Sequence, residues 1–136
     1  MPSPLSSVRR AFSEPRFRPA WLALLLALVL SISWLAFSHQ QGEGQLPHGD
    51  KLNHLAAFMA LALAAGFGTA PGRRNTWRVV LALLVYGGFI ELVQTQIPGR
   101  EGEWADLAAD LVGVALGLWL TAALRGRLRT ARKKFS

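Results

Sequence analysis

The sequence predicts an all-α polytopic membrane protein, a four-transmembrane-helix bundle with both termini in the cytoplasm (N-in/C-in). Three observations carry this reading. The 136 residues are 51% hydrophobic and only 17% charged. The apolar residues lie in long blocks separated by short charged ones, whereas a soluble domain of this size would show amphipathic periodicity. The third observation is where the basic residues fall. Arg9, Arg10, Arg16 and Arg18 precede the first block, Arg73, Arg74 and Arg78 lie between the second and third, and Arg125, Arg127, Arg129, Arg132, Lys133 and Lys134 follow the fourth. Only Lys51 and Arg100 fall on the other side. Basic residues accumulate in cytoplasmic loops, so four crossings with both ends inside follow.

The net charge of +7 is therefore a topological signal. A nucleic-acid footprint would be a basic face with base-contacting residues between the charges. None is apparent, and no nucleic-acid partner is expected. The chain has no cysteine, which excludes disulfides, thiolate metal sites and cysteine nucleophiles.

The elements follow in order. Residues 1–19 form a basic tail with frequent Ser and Pro, suited to anionic lipid heads on the cytoplasmic face. The first span covers residues 20–37, with Trp21 and Trp34 near its ends as interface anchors. Ala36 and Ser38 resemble a small-residue cleavage site. The apolar run is longer than the usual signal core, so a retained span is expected. Residues 39–50 form a polar connector. The second span covers 52–70 and is rich in alanine. A tight basic turn at 71–75 leads to the third span, 77–97. A second turn, 98–103, leads to the fourth, 105–124. Residues 125–136 form a second basic tail. The chain thus reads as one transmembrane domain, 20–124, between two cytoplasmic tails.

With this topology the ionisable residues of the spans collect at their outer ends. Asp50, Lys51 and His54 open the second helix. Glu91 and Gln94 lie in the outer part of the third, Arg100 in the following turn, and Asp106 and Asp110 at the start of the fourth. An Asp at the centre of a membrane helix costs roughly 2.5–3.5 kcal/mol on insertion scales. These carboxylates are therefore expected inside the protein, away from lipid. A rise of about 1.5 Å per residue puts Glu91 roughly 9 Å and Asp110 roughly 8 Å below the ends of their helices.

Residues three or four apart share a helix face. Gly87, Glu91 and Gln94 form one stripe, and Asp106, Asp110, Gly113 and Gly117 another. Small residues below polar ones permit close approach, so these stripes of the third and fourth helices are expected to face each other. Gly87, Gly113 and Gly117 are the packing residues of this reading. Asp50 and His54 share a stripe with Ala57 and Leu61. The candidate binding pocket collects Asp50, Lys51, His54, Glu91, Gln94, Arg100, Asp106 and Asp110.

Each has a bland reading beside the functional one. His54 reads as a hydrogen-bonded structural histidine, or more sharply as a general base or, with Glu91, Asp106 and Asp110, as part of an N/O site for zinc or another divalent metal. No H-E-x-x-H or comparable spacing occurs, so no metal and no cofactor is expected. Glu91 and Asp110 suit a buried network that fixes helix register, yet ionisable groups in spans are functional candidates by default. Asp106 and Lys51 lie near the interface, where a solvated face is the simpler reading. Arg100 balances Glu91 or Asp106, or binds a phosphate or carboxylate.

The motifs D-K-x-x-H-x-x-x-F (Asp50, Lys51, His54, Phe58), E-x-x-Q (Glu91, Gln94), P-G-R (Pro98, Gly99, Arg100) and D-x-x-x-D-x-x-G (Asp106, Asp110, Gly113) occur in that order. In this the chain resembles the VanZ-like family of bacterial membrane proteins over the motif core, residues 50–117. That family often has Asn where this chain has Asp110. The resemblance implies a small helical protein of the cell envelope, in the bacterial cytoplasmic (inner) membrane. The family's namesake raises tolerance to the glycopeptide antibiotic teicoplanin.

The expected partners are the lipid bilayer and a lipid-linked envelope precursor or glycopeptide-related ligand; the sequence sets no oligomeric state. The leading expectation is recognition of such a component in an outward-facing polar pocket. The alternatives are acid–base or metal-assisted hydrolysis of a lipid-linked head group by His54 with Glu91 or Asp106, and a proton- or cation-coupled carrier in which Glu91 and Asp110 titrate. A structural partner docking through Gly113 and Gly117 is a further alternative.

Overall fold

A computed structural model describes residues 12, 14–38, 49–98 and 103–133. A single 3-10 turn, Pro15–Phe17, leads into four α-helices: α1 (Arg18–Phe37), α2 (Gly49–Gly68), α3 (Arg73–Gln94) and α4 (Trp104–Lys133). Each of the four is long and apolar enough to cross a membrane. The described residues contain no strand. The expected four-helix, multi-pass architecture is what forms.

The helix ends differ from the expected spans for local reasons. Helix α3 stops at Gln94 and not at residue 97, because the chain tightens there: the Gln96 and Ile97 amides donate to the carbonyls of Val93 and Gln94. These i→i−3 bonds close a 3-10-like end. Helix α4 runs past 124 to Lys133. Leu, Ala and Arg dominate that stretch and are strong helix formers, and no proline interrupts it. Between α2 and α3 the chain turns at Gly72, whose φ of 147° is a conformation that L side chains rarely adopt.

Helix α2 is the centre of the bundle. Phe58, Leu61, Ala62, Ala64, Ala65 and Phe67 are all buried on it. Its most extensive contact is with α4, followed by α1. Small residues make this close approach feasible in lipid, where tight packing must replace the hydrophobic drive. A Cβ on Gly113 would run into the backbone of Leu55 and Met59. A Cβ on Gly117 would stand 2.6 Å from the Met59 carbonyl oxygen and 2.7 Å from the Ala62 Cβ. The expectation that Gly113 and Gly117 face α3 is therefore corrected: they seat α4 on α2. The alanine-rich face of α2 offers a flatter surface than the bulkier α3, so the smallest residues of α4 meet there.

Helix α1 is apolar on every side, with Leu26, Leu30, Trp34 and Leu35 exposed. That is the pattern of a helix that meets lipid on much of its surface. Polar contacts from α3 hold it, two of them from one tyrosine. Tyr86 Oη of α3 donates to the Val29 carbonyl at 3.1 Å and accepts from Ser33 Oγ at 2.8 Å. The other end of the bundle is closed by Arg125, whose Nη2 donates to the carbonyls of Gly66 and Thr69 at 2.8 and 3.1 Å. Its guanidinium carbon lies 5.5 Å from the Phe67 ring centroid. Arg125 thus caps the C-terminus of α2, as basic side chains commonly do.

Candidate functional site

The start of α2, the end of α3 and the start of α4 meet at one end of the bundle, and there the polar residues converge. His54 is the hub. Its Nδ1 stands 2.8 Å from Asp110 Oδ1. Its Nε2 stands 3.8 Å from Glu91 Oε1. One imidazole from α2 therefore faces a carboxylate of α4 with one nitrogen and a carboxylate of α3 with the other. The ring also lies parallel to Phe58, one turn further along α2, at 6.5 Å between centroids.

The burial is steep. The Asp110 side chain is 0% exposed, His54 11% and Glu91 14%. Asp106 is buried as well, which corrects the expectation of a solvated face. Its position two places past Trp104 turns it inward, toward α2. Lys51 reaches across from α2 to Glu103 at 2.6 Å and approaches Asp106 Oδ1 at 3.8 Å. Glu103 in turn donates its backbone N–H to Glu91 Oε2 at 3.1 Å. Among the described residues, three buried carboxylate oxygens of this cluster have no hydrogen-bond partner: Glu91 Oε1, Asp106 Oδ1 and Asp110 Oδ2.

The remaining expected residues divide. Gln94 is buried and donates from Nε2 to the Ala36 carbonyl at 3.3 Å, so it ties α3 to α1 and does not join the hub. Asp50 lines a groove beside it. Gly87 does face the site: a Cβ there would lie 2.6 Å from Asp110 Oδ2 and 3.2 Å from Phe58. Arg100 lies outside the described residues. Glu91 is one turn from the end of α3, about 4.5 Å from it, nearer than expected because the helix stops early.

The sequence reading missed Glu103 as a site residue. Its signal was present: an acid just before Trp104, three residues from Asp106, across the bundle from the isolated Lys51. The groove was also missed. It has a volume of about 360 Å³ and runs between α1 and α2. Ile32, Leu35, Ala57 and Phe58 supply its apolar wall, and Asp50, Asn53, His54 and Gln94 its polar lining. No periodicity announces such a space, because it depends on how α1 leans on α2.

Chemically the cluster combines an Asp–His pair, a second carboxylate on the far side of the ring and a lysine held at the rim. It can hold a proton, a cation or a donor-rich head group. Among the described residues, His54, Glu91 and Asp106 each present a donor atom within 4.8 Å of the others.

No curated protein and no solved structure matches the chain. The family model for VanZ/LLP1 matches residues 4–125, which contain all four spans as far as Arg125 and every residue of the polar cluster, and the chain belongs to the VanZ/LLP1 family.

Proposed function

We propose that this protein recognises an amphiphilic cell-envelope component, a lipid-linked head group, in the polar cluster and its adjoining groove. By doing so it lowers susceptibility to glycopeptide antibiotics such as teicoplanin. In this reading the protein sits in the bacterial inner membrane with the cluster facing outward and both termini inside. A transmembrane domain over 20–124 carries the site, flanked by basic cytoplasmic tails. The basic asymmetry of the sequence supports that orientation.

The observation that carries the reading is the groove between α1 and α2. Its apolar wall is suited to an acyl or isoprenoid chain, and it ends at Asp50, Asn53 and His54. A volume of about 360 Å³ falls within the range of roughly 300–1,000 Å³ common for small-ligand sites. An apolar wall leading to buried charge matches a molecule with one greasy and one polar end.

Lipid identification by mass spectrometry on gently purified protein tests it. A specific head-group lipid should co-purify with the wild type and be depleted in His54→Gln. Only bulk membrane lipid, in the same proportions in both proteins, would refute recognition.

One observation favours an acid–base enzyme as the second reading. Asp110 Oδ1 stands 2.8 Å from His54 Nδ1, which leaves Nε2, on the Glu91 side of the ring, to act as a base. Release of a free head group from the co-purified lipid on incubation would move the protein into that class.

A further inference from the structure

We propose that His54, Glu91 and Asp106 bind one divalent first-row transition ion, of the zinc or manganese class, with Asp110 as the residue that orients His54. The proposal stands on geometry and is independent of the lipid-recognition reading.

The first observation is the convergence itself. The three residues come from three helices, α2, α3 and α4, and offer donor atoms within 4.8 Å of one another. Two ligands each about 2.1 Å from a tetrahedral ion stand roughly 3.4 Å apart. His54 Nε2 and Glu91 Oε1 are 3.8 Å apart. That is too long for a hydrogen bond and close to the spacing of two ligands around one ion.

The second observation is independent of the clustering. The Asp106 side chain is 8% exposed, and its Oδ1 has no hydrogen-bond partner among the described residues. Lys51 approaches that oxygen only to 3.8 Å, because Glu103 holds the ammonium at 2.6 Å. Glu91 Oε1 is likewise buried and without a hydrogen bond, while its Oε2 accepts from the Glu103 amide. Buried carboxylate oxygens without partners are costly. Here two of them belong to the same three-residue set, which is what ligands awaiting a cation would show.

The third observation is Asp110. It accepts from one ring nitrogen of His54 at 2.8 Å and is wholly enclosed. Carboxylate–histidine pairs of this kind fix the tautomer of metal-binding histidines and leave the other nitrogen's lone pair for the metal. The charge balance agrees. Among the described residues, Glu91, Asp106 and Asp110 are packed together with Lys51 as the nearby cation, and Lys51 is held by Glu103; a divalent ion would add positive charge among these carboxylates. A mixed nitrogen and oxygen set with one imidazole favours zinc, manganese or iron over calcium and magnesium, which prefer oxygen alone.

The test uses the full chain in nanodiscs, freed of any affinity tag and stripped with chelator. Zn²⁺ is titrated and the bound metal counted by elemental mass spectrometry. Co²⁺ is added in parallel for its visible absorption, which reports nitrogen and oxygen ligands in a low-coordinate site. One Zn²⁺ per chain is expected, with Mg²⁺ unable to displace it. His54→Gln and Asp106→Asn should each abolish stoichiometric binding and the Co²⁺ band. Asp110→Asn keeps an acceptor for the ring but lowers its basicity, and should weaken binding about 10-fold and shift the band. Circular dichroism and gel filtration check that each variant is folded. Absence of saturable Zn²⁺ uptake by the wild type would overturn the proposal. So would unchanged binding in folded His54→Gln and Asp106→Asn. Should either of these two fail to fold, the Asp110→Asn affinity and Co²⁺ spectrum decide, and wild-type values there overturn it.

Discussion

His54 Nδ1 lies 2.8 Å from Asp110 Oδ1 in a place where the aspartate has no contact with solvent or lipid. The pair joins α2 to α4 at the level where Glu91 of α3 reaches the opposite ring nitrogen. A single side chain thus senses three helices. Its removal tests structure and function together, so the informative substitutions are those that keep shape and remove charge.

Glu91→Gln is the first of these. It retains the side-chain volume and one carbonyl acceptor for the Glu103 amide. Desolvation already disfavours a charged group at this depth, so the neutral variant should fold normally. His54→Gln likewise keeps a hydrogen-bonding group facing Asp110. If charge or proton exchange is what the cluster contributes, both variants should lose teicoplanin tolerance in a host where the wild type confers it. Membrane levels should stay within about two-fold of wild type, as expected when stability changes by less than about 1 kcal/mol. Full tolerance in both variants at wild-type abundance would leave the cluster as helix-packing chemistry.

Two adjacent glycines give a sharper structural test. A Cβ on Gly87 would meet Asp110 Oδ2 at 2.6 Å and the Phe58 ring at 3.2 Å. Asp110 cannot retreat, because its other oxygen is committed to His54. Gly87→Ala should therefore disturb the His54–Asp110 pair and cost about 1–3 kcal/mol through overpacking. A Cβ on Gly88 would meet nothing within 4 Å. Gly88→Ala should be neutral or stabilise by up to about 1 kcal/mol through helix propensity. Thermal unfolding in one detergent compares them directly, and equal melting temperatures would contradict the predicted contact.

Much of this was legible in the sequence because membrane helices leave few degrees of freedom. Long apolar blocks gave the number of spans, and the cost of charge in lipid brought Glu91 and Asp110 inward; the burial of Asp106 was not legible, because its place near the interface suited a solvated face. The partner of each stripe was not legible. Spacing shows that Asp110, Gly113 and Gly117 share a face, but not which neighbour has the flatter surface. The answer lies in α2, where Ala62 and the backbone of Leu55 and Met59 receive the glycines. The Lys51–Glu103 pair and the α1–α2 groove depend in the same way on helix placement, which no local pattern encodes.

The corrected packing carries its own prediction. Gly113→Leu should separate α4 from α2, because the added side chain meets backbone that has no freedom to rotate away. Folded protein in the membrane should fall to undetectable levels. Gly113→Ala should be intermediate, with a loss of about 1–3 kcal/mol. Cysteine cross-linking in the Ala variant can report which helix moves: a pair placed on α2 and α4 should lose efficiency, while a pair on α1 and α3 should not. Wild-type stability in both variants would remove the case for a close α2–α4 contact.

Helix α1 depends on fewer polar contacts. Tyr86 Oη is bonded to Ser33 Oγ and to the Val29 carbonyl, and Gln94 reaches the Ala36 carbonyl near the end of the same helix. Interhelical hydrogen bonds in membranes average about 0.6 kcal/mol. Tyr86→Phe removes both of its bonds and should lower stability by about 1 kcal/mol, with the ring still packed on Phe58. Combined with Gln94→Leu, the losses should add, since the two contacts hold different turns of α1. Faster proteolysis between α1 and α2 in the double variant, with the α2–α4 core intact, is the expected readout.

Topology is the last prediction, and it sets which compartment the cluster faces. The basic residues before α1, between α2 and α3 and after α4 outnumber Lys51 and Arg100 by a wide margin. Short-loop lysine and arginine content governs orientation, so both termini should be cytoplasmic and the His54 end external. A reporter fused after Ser136 should read inside, and one inserted within residues 40–49 should read outside. The reverse result for the C-terminus would place the cluster in the cytoplasm and remove contact with envelope precursors on the outer face. Amino-terminal sequencing of the mature protein is the companion measurement. A chain starting at His39 would show that the first span is removed, and would take with it the α1 wall of the groove and the contacts from Ser33 and Ala36. A chain that keeps residues 20–37 is the expected outcome, because Tyr86 and Gln94 are built to hold them.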